Sequence, residues 1–301
     1  MTLRFELKTM KLIRDPEKLR QRLQKERARG KSIGFVPTMG ALHEGHLSLV
    51  RASSRENDIT VASIFVNPTQ FGPKEDLTKY PRPVRKDLNF LRAAKVNFVL
   101  MPSVSAMYPE GLTKPLTLKG AKWPRLAKGL CGKFIPGHFQ GVATVVTKLL
   151  NIAGSCRLYL GAKDFQQVAV ISQLVRDLNM KFQVRVMPTV REKDGLAMSS
   201  RNRYLSLDER HRALAISRVL LKLKRNLLRK KGGVASLRTQ ALRELKKCVD
   251  QVQYFEIVDP ETLVPVRKSQ KQMAALTACF VGKTRLIDNV IITLSKRGQS
   301  L

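Results

Sequence analysis

The residues best suited to chemistry are gathered in Pro37-Thr38-Met39-Gly40-Ala41-Leu42-His43-Glu44-Gly45-His46. His43 and His46 stand just before an apolar set with helical spacing, Leu47, Leu49 and Val50. A helix N-terminus leaves its first N–H groups without intrahelical partners and carries a partial positive charge, so it favours anions. Imidazoles placed there add donors suited to a nucleotide phosphate. Two histidines that only cap the helix satisfy the same spacing.

Three further stretches carry related side chains. Gly161-Ala162-Lys163-Asp164-Phe165-Gln166-Gln167 again places a glycine and polar residues before a helix. Lys163 can neutralise phosphate, and Asp164 can take a ribose hydroxyl or cap the helix. Ser199-Ser200-Arg201, inside Arg191–Asn202, can wrap an oligophosphate with hydroxyl, backbone N–H and guanidinium groups. A polar interdomain linker has the same composition. Asn67 and Gln70 follow the apolar run Ile59–Val66, where open parallel sheets present substrate-binding side chains. His138, at the start of another apolar helix, reads as structural.

The elements that must position these residues alternate. Asp15-Pro16-Glu17 opens a helix that Gly30 closes. Strands are expected at Ser32–Val36, Ile59–Val66, Phe98–Met101, Arg157–Leu160 and Gln183–Met187. Helices are expected at Val84–Ala94, at Val142–Asn151 and from Phe165 to about Leu178. Between Pro102 and Pro136 the chain reads as irregular structure bordering a site, or as a short hairpin at Leu116–Leu118. Alternation over residues 1–189 implies an α/β domain with a parallel sheet and helices on both faces. Residues 190–301 read as a smaller α+β domain. It has basic helices at Leu207–Lys230 and Val234–Val249, then strands at Tyr254–Val258, Ala274–Val281 and Arg285–Ile292.

Composition narrows the classes. A 301-residue chain that is 43% hydrophobic and 26% charged has the make-up of an ordinary globular protein. No apolar run approaches the roughly 20 residues of a membrane helix. Met1–Leu12 is too mixed for a secretory h-region, so a cytoplasmic location is the expectation. Cys131, Cys156, Cys248 and Cys279 lack metal-ligand spacing and read as reduced thiols, mostly core. Lys and Arg number 56 against 23 Asp and Glu, a formal charge of +33. Such a field attracts polyanions. The basic residues are spread along the chain without a zinc-finger or aromatic ribonucleoprotein motif, so nucleic acid is expected only as a non-specific partner. Gly-x-Gly-x-x-Gly, Walker A and Ser-His-Asp signatures are missing from the sequence.

Taken together, these stretches resemble the pantoate–β-alanine ligase family, a branch of the His-x-Gly-His nucleotidylyltransferase-like enzymes. The resemblance runs through Pro37–His46, Phe65–Phe71, Pro136–Phe139, Gly161–Gln167, Asp194–Asn202 and Arg285–Asn289, in order along the chain. It implies a Rossmann-like α/β nucleotide-binding domain over residues 1–189, a smaller α+β C-terminal lid over residues 190–301 and a homodimer, and condensation of pantoate with β-alanine through a pantoyl adenylate, with ATP as substrate and Mg2+. It also implies that Met39–His46 binds ATP, with His46 and His43 catalytic beside Lys163 and Arg201. Gly161, Ala162, Lys163, Asp164, Val190, Met198, Ser199, Ser200 and Arg201 would complete the ATP site. Gln70 and Gln167 would hold pantoate, with Gln70 also bordering β-alanine. The metal ligands are left unassigned. Ala162 and Ile135 depart from the family's commoner Glu or Gln and Arg, and Cys131 stands where many members have Glu, although Cys also occurs there.

Overall fold

A computed structural model of the chain describes residues 10–72, 77–112 and 120–294. The hairpin expected at Leu116–Leu118 lies outside the described residues. The chain divides into two compact units. One comprises Met1–Pro124, Ile135–Gly161 and Val170–Met187; the other comprises Arg125–Phe134, Ala162–Ala169 and Pro188–Leu301.

The first unit is built on a parallel sheet of β1 (Lys11–Ile13), β2 (Ile33–Thr38), β3 (Ile59–Ile64), β4 (Phe98–Leu100), β5 (Arg157–Gly161) and β6 (Gln183–Met187). Their order is β1-β4-β3-β2-β5-β6. β3 is buried along its whole length and β2 nearly so. That is the continuous apolar character of a parallel sheet covered on both faces. β2 runs two residues further than expected and takes in Pro37. Its pairing with β5 is confined to Gly34 and Phe35, so beyond them it pairs only with β3 and tolerates a residue without an N–H. β1 is an addition to the five expected strands. Three residues on a sheet edge are too short to show a period.

Helices α1 (Pro16–Ala28), α2 (Glu44–Glu56) and α3 (Val84–Ala93) join the first four strands. Asp15 caps α1 as expected, its Oδ1 accepting the N–H of Glu17 at 2.8 Å. Single-turn helices α4 (Val104–Met107), α5 (Trp123–Lys128) and α6 (Cys131–Phe134) occupy the stretch expected to be irregular. α7 (His138–Ala153) and α8 (Phe165–Asp177) precede β5 and β6. Right-handed crossovers place α2 and α3, which step from β2 towards β4, on one face. They place α1 and α7, which step the other way, on the opposite face. The packing of α2 on α3 and of α1 on α7 agrees.

α7 starts at His138, four residues before the expected Val142. Gly137, at φ 83°, supplies the left-handed entry. Gly141 is fixed by space: a Cβ there would lie 2.1 Å from the Thr69 carbonyl oxygen. The missing side chain lets α7 approach the turn Pro68–Gln70 closely.

The second unit carries an antiparallel sheet, β7 (Gln251–Val258), β8 (Gln272–Val281) and β9 (Thr284–Thr293), in that order. Helices α9 (Leu207–Leu228) and α10 (Val234–Lys246) pack on it. Leu220, Leu223 and Leu227 of α9 share one core with Leu237 and Leu245 of α10 and with Phe255, Met273 and Ile292 of the sheet. A capping box between Ser206 and Glu209 starts α9.

Candidate active site

The strand order reverses at β2, because β3 and β4 extend the sheet on one side and β5 and β6 on the other. In open α/β sheets ligands bind beyond the strand carboxyl ends at such a reversal. The His43–His46 loop leaves β2 there.

His43 is the N-cap of α2, and its Nδ1 accepts the Gly45 N–H at 3.1 Å. His46 Nδ1 accepts the His43 N–H at 3.3 Å, and the ring centroids are 4.1 Å apart. Both capping and phosphate chemistry are compatible with this arrangement. A neutral imidazole whose Nδ1 accepts carries its proton on Nε2. One edge of each ring therefore shapes the helix start, while the other edge is a donor.

Upstream, Gly40 and Ala41 both adopt left-handed backbone, φ 79° and 51°. This turns two N–H groups inward onto Asp87 of α3. Ala41 donates to Oδ2 at 2.8 Å and Leu42 to Oδ1 at 2.9 Å. Asp87 is 1% exposed. Sequence reasoning missed it, because an aspartate in a first helical turn reads as a local complement to the helix dipole. Its partners, more than forty residues away, leave no local signal.

Gln70 ends the Pro68–Gln70 turn in the same unit. Its Nε2 contacts Met39 Sδ at 2.8 Å, its Oε1 accepts from Asn67 Nδ2 at 3.3 Å, and its carbonyl lies 2.7 Å from His138 Nδ1. The structure therefore brings Gln70 onto the loop that contains the histidines. Asn67 differs from its expected place among substrate-facing amides. It is 1% exposed, and its Oδ1 accepts from the Tyr108 hydroxyl at 2.7 Å. It serves as scaffold for the turn.

Lys163, Asp164, Gln167, Val190 and Met198–Arg201 belong to the second unit. Lys163 Nζ lies 4.0 Å from Asp164 Oδ1. Asn289 Nδ2 donates to the carbonyls of Ala162 and Lys163 at 2.9 and 2.8 Å, fixing that backbone. Asp288, its neighbour on β9, takes a bidentate pair from Arg191 at 2.7 and 3.0 Å. Two adjacent residues of β9 thus anchor both polar loops of this unit, a role that the sequence reading left unassigned.

The loop from Val190 to Asn202 folds back on itself. Met198 N–H donates to the Val190 carbonyl at 3.0 Å, and Glu192 N–H donates to that of Leu196 at 2.8 Å. Gly195, at φ 94°, makes the reversal. Ser199 caps the following turn by accepting the Arg201 N–H at 3.2 Å. Arg210 pairs with both Glu192 and Asp194, and Asn202 donates to Glu192 and to the Ala197 carbonyl.

Residues 11–291 match the family model described as pantoate-beta-alanine ligase. A pantothenate synthetase of Thermosipho melanesiensis is 48% identical over 283 residues, covering 94% of this chain and 99% of the relative. The chain belongs to the pantoate–β-alanine ligase family. A pantothenate synthetase of a Sulfurihydrogenibium species is 47% identical over 286 residues, 93% of this chain and 99% of the relative. The crystal structure of pantothenate synthetase from Thermus thermophilus has a TM-score of 0.86 at 41% identity, covering 93% of this chain and 99% of that one. The ligase from Francisella tularensis, complexed with β,γ-ATP and β-alanine, has a TM-score of 0.76 at 34% identity, covering 94% and 97%.

Cys131 is a buried thiol of the second unit. Its thiol lies 3.0 Å from the Tyr254 hydroxyl and accepts from Arg285 Nη2 at 3.2 Å. Gln166, beside the expected pantoate residue Gln167, is a scaffold residue. It accepts the Cys131 N–H and donates to the carbonyls of Leu126 and Gly129. Burial pushes the thiols of Cys156 and Cys279 up to about 12, which suits inert core residues.

Proposed function

We propose that the chain is an ATP-dependent ligase that joins pantoate to β-alanine through pantoyl adenylate. The observation that carries the reading is the reversal of strand order at β2, with the His43–His46 loop leaving that strand. In the first step a pantoate carboxylate oxygen attacks the α-phosphorus of ATP, and the bond to pyrophosphate breaks. In the second, the amine of β-alanine attacks the acyl carbon, AMP leaves with the electron pair of its C–O bond, and the amine gives up a proton.

The substrate's own carboxylate is the nucleophile, so the protein's tasks are alignment and charge stabilisation. The Nε2 edges of His46 and His43 donate to phosphate oxygens, and His46 acts on the oxygen where charge develops. Lys163 and Arg201 neutralise the departing pyrophosphate. Met39–His46, Gly161, Ala162, Asp164, Val190, Met198, Ser199 and Ser200 hold the rest of ATP. Gln70 and Gln167 orient pantoate, and Gln70 borders β-alanine. Among the described residues no three His, Cys, Asp or Glu side chains are grouped to hold a metal. Mg2+ favours phosphate oxygens and water with one or two carboxylates, so it enters with ATP as part of the substrate. In this reading residues 1–189 bind ATP and pantoate, residues 190–301 form the lid, and the enzyme works as a cytoplasmic homodimer. Any nucleic acid is bound without sequence specificity, through positive charge.

Pantoate-dependent exchange of pyrophosphate into ATP, measured with Mg2+ and without β-alanine, tests the first step. Absence of exchange at high enzyme concentration overturns the adenylate. His46→Ala removes one donor and is expected to lower exchange by about 10²–10³-fold, with the circular dichroism spectrum retained. Near-normal exchange in that variant reduces His46 to a helix cap.

A further inference from the structure

Residues 210–243 contain eleven Lys or Arg and neither Asp nor Glu. Within this run Arg218, Lys222 and Arg225 of α9 and its C-cap residue Arg229 follow one another at steps of four, three and four. At about 100° per residue these four fall within a single narrow arc of the helix, and at 1.5 Å per residue they span roughly 16 Å. Arg218, Lys222, Arg225 and Arg229 are exposed, as are Lys230 and Lys231 just beyond the helix end. The opposite face, through Leu220, Leu223 and Leu227, is buried in the core of the unit.

Elsewhere on α9 and α10, Arg212 pairs with Asp208 and Asp250, and Arg238 with Glu256. On the stripe only Lys222 has a carboxylate, Glu244 at 2.7 Å. Among the described residues Arg218, Arg225 and Arg229 form no ion pair. Like charges three and four apart on a helix repel one another. A row of three such arginines and one lysine is therefore unfavourable until an anionic surface lies along it.

We propose that this face of α9 is a binding stripe for the sugar–phosphate backbone of a nucleic-acid duplex. Guanidinium groups suit phosphate, because their planar fork donates two parallel hydrogen bonds. The stripe has no aromatic residue on which unpaired bases could stack, which favours a duplex over a single strand. A bilayer fits less well. The apolar face of α9 is already in the core, and Leu221 and Leu228 flank the row without an aromatic anchor. The binding is independent of sequence and steeply dependent on salt.

The test measures anisotropy of a labelled 20-base-pair duplex RNA with the full chain between 50 and 200 mM salt. Arg218→Glu, Arg225→Glu and Arg229→Glu are combined in one variant. Arg267→Glu, Lys268→Glu and Lys271→Glu, equally exposed in the same unit, give the same change in net charge in a second. The stripe variant is expected to lose at least tenfold in affinity. Its slope of log affinity against log salt is expected to flatten by about two to three, while the control variant stays near the parent. Equal losses in both variants overturn the proposal in favour of diffuse attraction, and so does absence of duplex binding by the parent. Stripe-dependent binding to phosphatidylglycerol vesicles without duplex binding overturns it in favour of lipid. Thermal melts of both variants establish that they are folded.

Discussion

The His43–His46 loop and the Val190–Asn202 loop both carry phosphate-type donors, yet they are held by opposite means. The first is fixed from inside. One fully buried carboxylate, Asp87, takes two backbone N–H groups of a left-handed turn. The second is fixed by side chains, two of which bridge it to its surroundings. Arg191 reaches Asp288 and Arg210 reaches Glu192 and Asp194, while Asn202 reaches Glu192 across the loop itself. A carboxylate shielded from water and bonded to the main chain is insensitive to salt. Partly exposed ion pairs are weaker and screened. The contrast gives the first loop a fixed shape and the second a network that solution conditions can loosen.

Breaking the one buried ion pair of the second network should have the largest effect. The Asp288 side chain is only 3% exposed, and Arg191 is its cationic partner. Arg191→Met strands that carboxylate, which costs about 3–5 kcal/mol. The double variant Arg191→Met, Asp288→Leu removes both charges and should recover most of the loss. Chemical unfolding of the three proteins measures this. A single variant as stable as the parent would show that Asp288 finds another partner.

Asp87→Asn tests the inner clamp with a smaller expected change. One amide oxygen can still accept one N–H, but the amide NH2 then faces the other. Leaving a buried donor unsatisfied costs about 1–3 kcal/mol. Because Ala41 and Leu42 lead directly into His43, the KM for ATP should rise together with this loss. A variant that loses stability while its KM for ATP stays at the parent value separates the clamp from substrate binding.

The same contrast explains how much could be read from sequence. Both polar loops and nearly all the elements around them were legible, because apolar period, glycine and helix-start chemistry are local. Capping by Asp15 is one such local rule that held. Asp87, Asp288 and Asn289 were not legible in this way, since their partners are set by the fold. Asn67 misled for the related reason that a loop amide next to a strand end looks alike whether it faces substrate or a buried tyrosine. β1 was missed because three residues at an edge carry too little pattern, and the start of α7 was misplaced because Gly137 and Gly141 read as loop. Gly141 is a packing contact with the Thr69 carbonyl that only the fold reveals.

The smallest expected effect sharpens the comparison most directly. Arg210 is about one-third exposed, with Glu192 and Asp194 similarly placed. Burial pushes the Asp194 carboxyl up, but the Leu196 N–H and the Arg210 guanidinium together outweigh it and hold the carboxyl below its usual range. A folded-state value below the unfolded one contributes stability above the unfolded value and loses it as pH falls through the folded one. Arg210→Gln should therefore cost less than about 1 kcal/mol near neutral pH. The difference from the parent should shrink further in 1 M salt, where the Debye length is about 3 Å. It should also shrink as pH falls below the ordinary aspartate value of about 3.9 and the Asp194 carboxylate takes up its proton. Asp87→Asn should show no such salt dependence, since its lost bond lies away from solvent. Parallel unfolding curves at low and high salt compare the two directly. Equal salt sensitivity in both variants would remove the distinction between an inner clamp and an outer network.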